Sequence, residues 1–208
     1  MANEADLRAV TPPLLETEPV LDGKLDDSIW KKAAAVNGFT LLGKKSVPTQ
    51  ATETYIFRTA NALFIGFKCY ENNMDKLMAQ LTDRDSALWL DDSYELRLAP
   101  GVKGSENKYV YYTFIVNTVG AQFDCRTDDK NVGDIEWNAD WKYKTHRDET
   151  FWSGEIRIPL NVMKNSQSPL WRVNFSRNEK PNAEYSTWSP IVGARANAPA
   201  LCGIMKLK

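Results

Sequence analysis

The chain has 208 residues, 43% hydrophobic and 25% charged, with 26 basic against 27 acidic side chains and a net charge of −1. This balance offers no basic field to draw in a nucleic-acid backbone, and no apolar run approaches the roughly 18 residues of a membrane-spanning helix. The length suits one large β domain, which can bury a core without needing a metal or a disulfide. The start, MANEADLRAV, lacks the apolar centre of a secretory leader, so the expectation is either a cytoplasmic protein or one whose leader has been removed. Cys69, Cys125 and Cys202 lack metal-ligand spacing; at most one disulfide can form and one thiol is left over.

Residues 1–18 are polar, contain Pro12-Pro13 and read as an extended arm; residues 19–208 read as one domain. Pro19-Val20-Leu21 predicts a short strand closed by a turn at Asp22-Gly23. Asp26-Asp27-Ser28 opens a short helix through Ile29, Trp30, Lys31 and Ala33-Ala34, with acids at its N-terminus. After a loop over 38–50, alternation predicts strands at 51–59 and 63–70, then a helical turn at 75–81. A strand follows at 93–98. Segments 109–117 and 121–126 flank Val119-Gly120 as a hairpin. Strands at 141–147, 151–158, 171–177 and 203–207 complete the set, with a helical turn at 160–164. Nine or so strands and few helices predict an all-β fold, a two-sheet antiparallel β-sandwich.

The stretch 84–98, RDSALWLDDSYELRL, carries the most chemistry. Trp89 stands in a loop beside Asp91 and Asp92, and the chain then enters an alternating strand. Tyr94, Leu96 and Leu98 share one face; Ser93, Glu95 and Arg97 share the other. An aromatic ring next to a carboxylate and a guanidinium suits a polyol, whose C–H faces stack and whose hydroxyls hydrogen-bond. The competing reading is a surface ion pair with Trp89 capping the core. Asp91 and Asp92 are expected to stay solvated or bound to a cation, which would keep Trp89 partly exposed.

Other residues have plainer readings. Trp30, Trp152 and Trp171 follow core patterns, and one of Trp137 and Trp141 is expected to be exposed. Trp188, before Ser-Pro, either lines a site or plugs a sandwich end. Arg177 ends a strand and either pairs with an acid, Glu184 or Asp92, or grips sugar hydroxyls. The clusters Asp83/Asp85/Asp91/Asp92 and Asp128/Asp129/Asp134 are acidic turns that also offer oxygen ligands for calcium. Glu95 and Glu155 would be the carboxylates of a hydrolase, although Glu155 reads more simply as an outward ion-pairing residue.

The order of several segments resembles the family-nine carbohydrate-binding modules and their wider DOMON-like group. The pieces are VLDGKLDDSIW from Val20 to Trp30, ALFIGF from Ala62 to Phe67, WLDDSYEL from Trp89 to Leu96, and FIVN from Phe114 to Asn117. WSGEIRIP from Trp152 to Pro159, WRVNFSR from Trp171 to Arg177, Trp188-Ser189, and GIMKL from Gly203 to Leu207 complete the set. The resemblance implies a β-sandwich that binds sugars without catalysis, with structural calcium in some members. It implies a secreted, periplasmic or cell-surface setting and a glycan-degrading catalytic domain as neighbour. It places Trp89 as a stacking ring and Glu95 and Asn117 as hydrogen-bonding groups, with Arg177 and Trp188 as further members. The loop after Trp188-Ser189, where the family's second stacking tryptophan is expected, has no aromatic, and Ile115 replaces a family arginine. Some DOMON-like domains instead bind haem through histidine and methionine; here the only histidine is His146, with five methionines.

Overall fold

Alternating side chains build two facing sheets. The computed structural model describes residues 7–101, 110–191 and 201–207, and the elements below belong to those residues. The strands are β1 (Ala9–Val10), β2 (Ala34–Val36), β3 (Thr40–Leu41), β4 (Thr52–Arg58), β5 (Ala62–Tyr70), β6 (Ser93–Pro100) and β7 (Tyr111–Asn117). Then come β8 (Gln122–Thr127), β9 (Gly133–Asp134), β10 (Lys142–Arg147), β11 (Phe151–Pro159), β12 (Leu170–Glu179), β13 (Glu184–Thr187) and β14 (Gly203–Lys206). A nine-stranded sheet runs β1-β14-β12-β6-β7-β8-β9, with β13 beside the far end of β12 and β3 beside β13. A five-stranded sheet runs β10-β11-β5-β4-β2. The sequence expectation of an all-β sandwich holds.

The core lies between the sheets. Tyr94, Leu96 and Leu98 of β6 and Trp171, Val173 and Phe175 of β12 meet Leu63, Ile65, Phe67 and Cys69 of β5 and Trp152, Ile156 and Ile158 of β11. Phe67 stacks on Tyr94 with centroids 4.0 Å apart and meets Trp152 edge-on at 5.1 Å. Gly154 is required beneath them, because a Cβ there would lie 2.5 Å from Phe67 Cζ. Burying each such large side chain stabilises the fold by about 1.5–3 kcal/mol. The Tyr94 hydroxyl pairs with Thr54 Oγ1 at 2.8 Å, so this buried phenol is not left without a partner.

The N-terminal segment wraps the sandwich. β1 pairs parallel with β14, and further on Leu15 N–H donates to the Arg58 carbonyl while Arg58 N–H donates to that of Pro13. The strand expected at 19–21 does not form. Val20 N–H donates to Asp27 Oδ2, and Asp22 and Gly23 N–H both donate to Glu155 Oε2, each at 2.8 Å. Side-chain carboxylates thus take the place of a ladder. The helix expected from Ser28 is a single 3₁₀ turn, Ser28–Lys32; Asp27 accepts from Val20 rather than capping it. The later helical turns shrink likewise to Met74–Lys76 and Leu160–Val162. Cys69, Cys125 and Cys202 are all buried.

Candidate functional site

An open, shallow concavity of about 200 Å³ lies on the outer face of the nine-stranded sheet. Because Tyr94, Leu96 and Leu98 face the core, Glu95 and Arg97 face outward, and the register sets Thr113 beside Arg97 and Ile115 beside Glu95. One strand further, Cys125 pairs with Thr113 and Phe123 with Ile115. Trp89, Glu95, Arg97, Tyr111, Thr113, Ile115 and Phe123 line the hollow together with Cys125 and Thr127. One side is aromatic and aliphatic, and the floor is polar.

Trp89 lies in a one-turn 3₁₀ helix, Leu88–Leu90, and remains 45% exposed. Its ring meets Phe123 edge-on with centroids 5.5 Å apart. Leu88, not Trp89, is the buried plug of this turn. The loop is held from several sides. Lys180 Nζ donates to the Trp89 carbonyl at 2.6 Å, and Arg84 ties the loop to the buried Asp124 and to Asn138. Asp124 also accepts Ala139 N–H; burial raises its pKa, with its backbone and Arg84 partners opposing.

Asp91 and Asp92 correct a sequence expectation, since they are buried rather than solvated. Asp91 Oδ2 accepts the N–H groups of Gln80 and Leu81 and the Asn117 amide at 3.0 Å. Asp92 accepts the N–H groups of Met78 and Lys180. Burial raises the Asp92 carboxyl above its ordinary range, with those N–H donors opposing. Trp89 is exposed for a different reason than the sequence suggested: the acids anchor the loop inward and Leu88 fills the space beneath. The other acidic turns are also occupied, Asp128 by the N–H groups of Lys130 and Val132 and Asp134 by Arg126. Among the described residues, no three His, Cys, Asp or Glu side chains converge as metal ligands would.

Glu95 is 2% exposed at the floor. Its Oε2 accepts from Arg97 at 2.8 Å and from the Tyr185 hydroxyl at 2.9 Å; its Oε1 accepts from Asn178 at 2.7 Å. Burial works against the Arg97 charge, but Tyr185 and Glu95 outweigh it, so its pKa sits above the ordinary value. Burial, followed by the charge of Glu95, keeps the Tyr185 phenol protonated. Three donors leave this carboxylate about one of its four lone-pair directions for a further hydroxyl.

The remaining expected members stand elsewhere. Asn117 is fully buried: its amide donates to Leu81 and Asp91 and its carbonyl accepts Ala121 N–H, so it ties the Trp89 loop to the β7–β8 turn. Arg177 points into the sandwich, where it donates to the Ala51 and Tyr70 carbonyls and pairs with Glu71 at 3.2 Å, neither Glu184 nor Asp92 being its ion partner. Trp188 is a core plug, 4% exposed, edge-on to Phe175 at 5.7 Å. Of the loop in which a second ring was sought, 190–197, residues 192–197 lie outside the described residues. Glu155 is buried, not an outward ion-pairing residue: besides Asp22 and Gly23 it accepts the Trp30 indole N–H at 2.7 Å. It lies on the outer face of the five-stranded sheet, across the sandwich from Glu95, so the two cannot flank one bond. His146 stands on the edge strand β10 opposite Ser153. Sequence reading had missed Tyr111, Phe123, Asn178 and Tyr185; the alternation of β7 and β8 was the available signal for the first two.

No protein-family model and no curated protein matches the chain. The fold nonetheless resembles that of solved carbohydrate-binding modules. A family 9 carbohydrate-binding module from Caldicellulosiruptor kristjanssonii, in complex with glucose, is 17% identical with a TM-score of 0.68, covering 97% of this chain and 96% of that one. The same kind of module from that organism, in complex with cellotriose, is 18% identical with a TM-score of 0.66, covering 97% and 94%. A candidate carbohydrate-binding protein from Bacteroides uniformis is 15% identical with a TM-score of 0.77, covering 98% and 100%. At these identities the likeness is one of fold.

Proposed function

We propose that the chain is a non-catalytic carbohydrate-binding module and that its ligand occupies the Trp89 concavity. The observation that carries this reading is the half-exposed Trp89 ring and the buried Glu95–Arg97 pair lining one hollow. The ring offers a flat face to the C–H groups of a pyranose. Glu95 accepts from one hydroxyl, and Arg97 donates to its neighbour. The sugar complexes of the two similarly folded modules support the ligand class. Glu95 holds three donors, and among the described residues no other carboxylate lines the hollow, which suits recognition rather than bond cleavage. On this reading the module serves a glycan-degrading enzyme, attached or separate, outside the cytoplasm. Trp89, Glu95 and Arg97 touch the sugar; Asn117, Arg177 and Trp188 hold the frame.

One stacking ring and a small polar floor give weak affinity, about 10 µM to 1 mM. Calorimetric titration with glucose, cello-oligosaccharides and a wider neutral glycan panel tests this. At least one of them binds within that range; failure of all of them to bind tighter than millimolar overturns the proposal.

A further inference from the structure

A second hollow, of about 190 Å³, opens on the outer face of the five-stranded sheet, across the sandwich from Trp89. It is lined by Lys24, Leu25, Trp30, Lys31, Tyr55 and Lys68. Its floor is apolar. Leu25 and Trp30 press onto Gly66, where an added Cβ would lie 2.3 Å from Leu25 Cδ2 and 2.9 Å from Trp30 Cζ3. The indole N–H of Trp30 is spent on Glu155, so carbon is what the indole presents to the hollow.

Its rim is cationic. Lys24 is exposed and pairs with Asp22 at 3.2 Å. Lys31 is exposed and has no hydrogen-bond or ion-pair partner among the described residues. The Lys68 ammonium lies 4.1 Å from the Phe151 ring centroid, with no ion pair among the described residues. Glu53, opposite Lys68 in the β4–β5 ladder, accepts the Tyr55 hydroxyl at 2.9 Å instead. Lys24, Lys31 and Lys68 therefore line an apolar floor, with the carboxylates of Asp22 and Glu53 already engaged by Lys24 and Tyr55.

We propose that this hollow binds an anionic sugar ring, of the hexuronate or sugar-sulfate class. Leu25, Trp30 and Tyr55 meet the C–H face of the ring, and Lys31 and Lys68 meet the carboxylate or sulfate. A bare inorganic anion would use the rim and leave the floor unused. The site does not depend on the Trp89 concavity, and the two readings stand or fall separately.

The test is an amide chemical-shift titration of the whole chain with glucuronate, glucose 6-sulfate, glucose and sodium sulfate, each to about 50 mM. Glucuronate or glucose 6-sulfate shifts the resonances of Lys31, Tyr55 and Lys68 with millimolar affinity; glucose leaves these unmoved, and sodium sulfate binds there at least about tenfold more weakly. Raising salt from about 0.02 to 0.2 M weakens the binding several-fold, because the rim is exposed to screening. The Lys31→Ala/Lys68→Ala double variant weakens it at least about tenfold with an unchanged melt, and Trp89→Ala leaves it as it was. Absence of shifts at Lys31 and Lys68 with both anionic sugars, sulfate binding as tightly as they do, or loss of the effect in Trp89→Ala overturns the proposal.

Discussion

Trp89 and Trp188 show how the same side chain is spent in two ways. Trp89 sits above the buried Leu88 and leans edge-on against Phe123, so removing its ring opens no sealed core space. We expect Trp89→Ala to abolish neutral-sugar binding while changing stability by less than about 1 kcal/mol. A titration and a thermal melt on this variant decide it; collapse of the fold would return the residue to the core. Trp188 is the opposite case. Its ring lies where a Cβ on Gly203 would approach Trp188 Cζ3 to 2.4 Å, so the contact is already closed. Trp188→Ala should cost about 3–5 kcal/mol, and the fraction that stays folded should bind sugar with unchanged affinity. The two alanine variants thus separate stacking from plugging by one pair of measurements.

Elements that owe their form to their own sequence were legible; those made by partners were not. β4, β5, β6, β7, β11 and β12 are long enough to show a period, and their core-facing side chains are buried apart from Arg58 at the end of β4. β1, β3, β9 and β13 have two to four residues, too few to show a period, and form only because a neighbouring edge supplies a ladder. The site was half legible for the same reason. The phase of β6 put Glu95 and Arg97 outward, but phase also put Arg177 in line with Phe175, on the core side, where it joins the sheets. Glu155 was misread because nothing local shows that a distant turn will bring it three N–H donors. That contact clamps the loop around Asp22 and Gly23 onto β11, where Ser153 Oγ adds a bond to the Gly23 carbonyl at 2.6 Å. Glu155→Ala should destabilise the protein by about 2–4 kcal/mol, since three donors lose their acceptor. Hydrogen exchange should quicken first at Asp22 and Gly23; protection there equal to the parent would contradict the clamp.

At the scale of the whole molecule, the sheets are joined at one end by charge as well as by apolar packing. Glu71 follows β5, Asp92 precedes β6, and Arg177 and Glu179 end β12; all four are buried. One guanidinium faces this group of carboxylates, and it pairs with Glu71. Burial, with Glu71 adding to it, raises the Glu179 carboxyl to about 7, against the pull of Arg177 and of Asn182 N–H. The native state therefore holds a proton that the unfolded chain releases near its ordinary carboxylate pKa. Between the two values the unfolded state binds fewer protons, so stability falls as pH rises through that window. The loss attributable to Glu179 accumulates through this window and levels off above the raised value. Asp92, also raised by burial, acts in the same direction from lower pH. Urea midpoints measured from pH 5 to 8 should decline in the parent protein, and Glu179→Gln, neutral throughout, should flatten the decline. An equal slope in both proteins would mean that Glu179 ionises at its ordinary value and that the sheets are joined at this end by the Arg177–Glu71 pair without a shared proton.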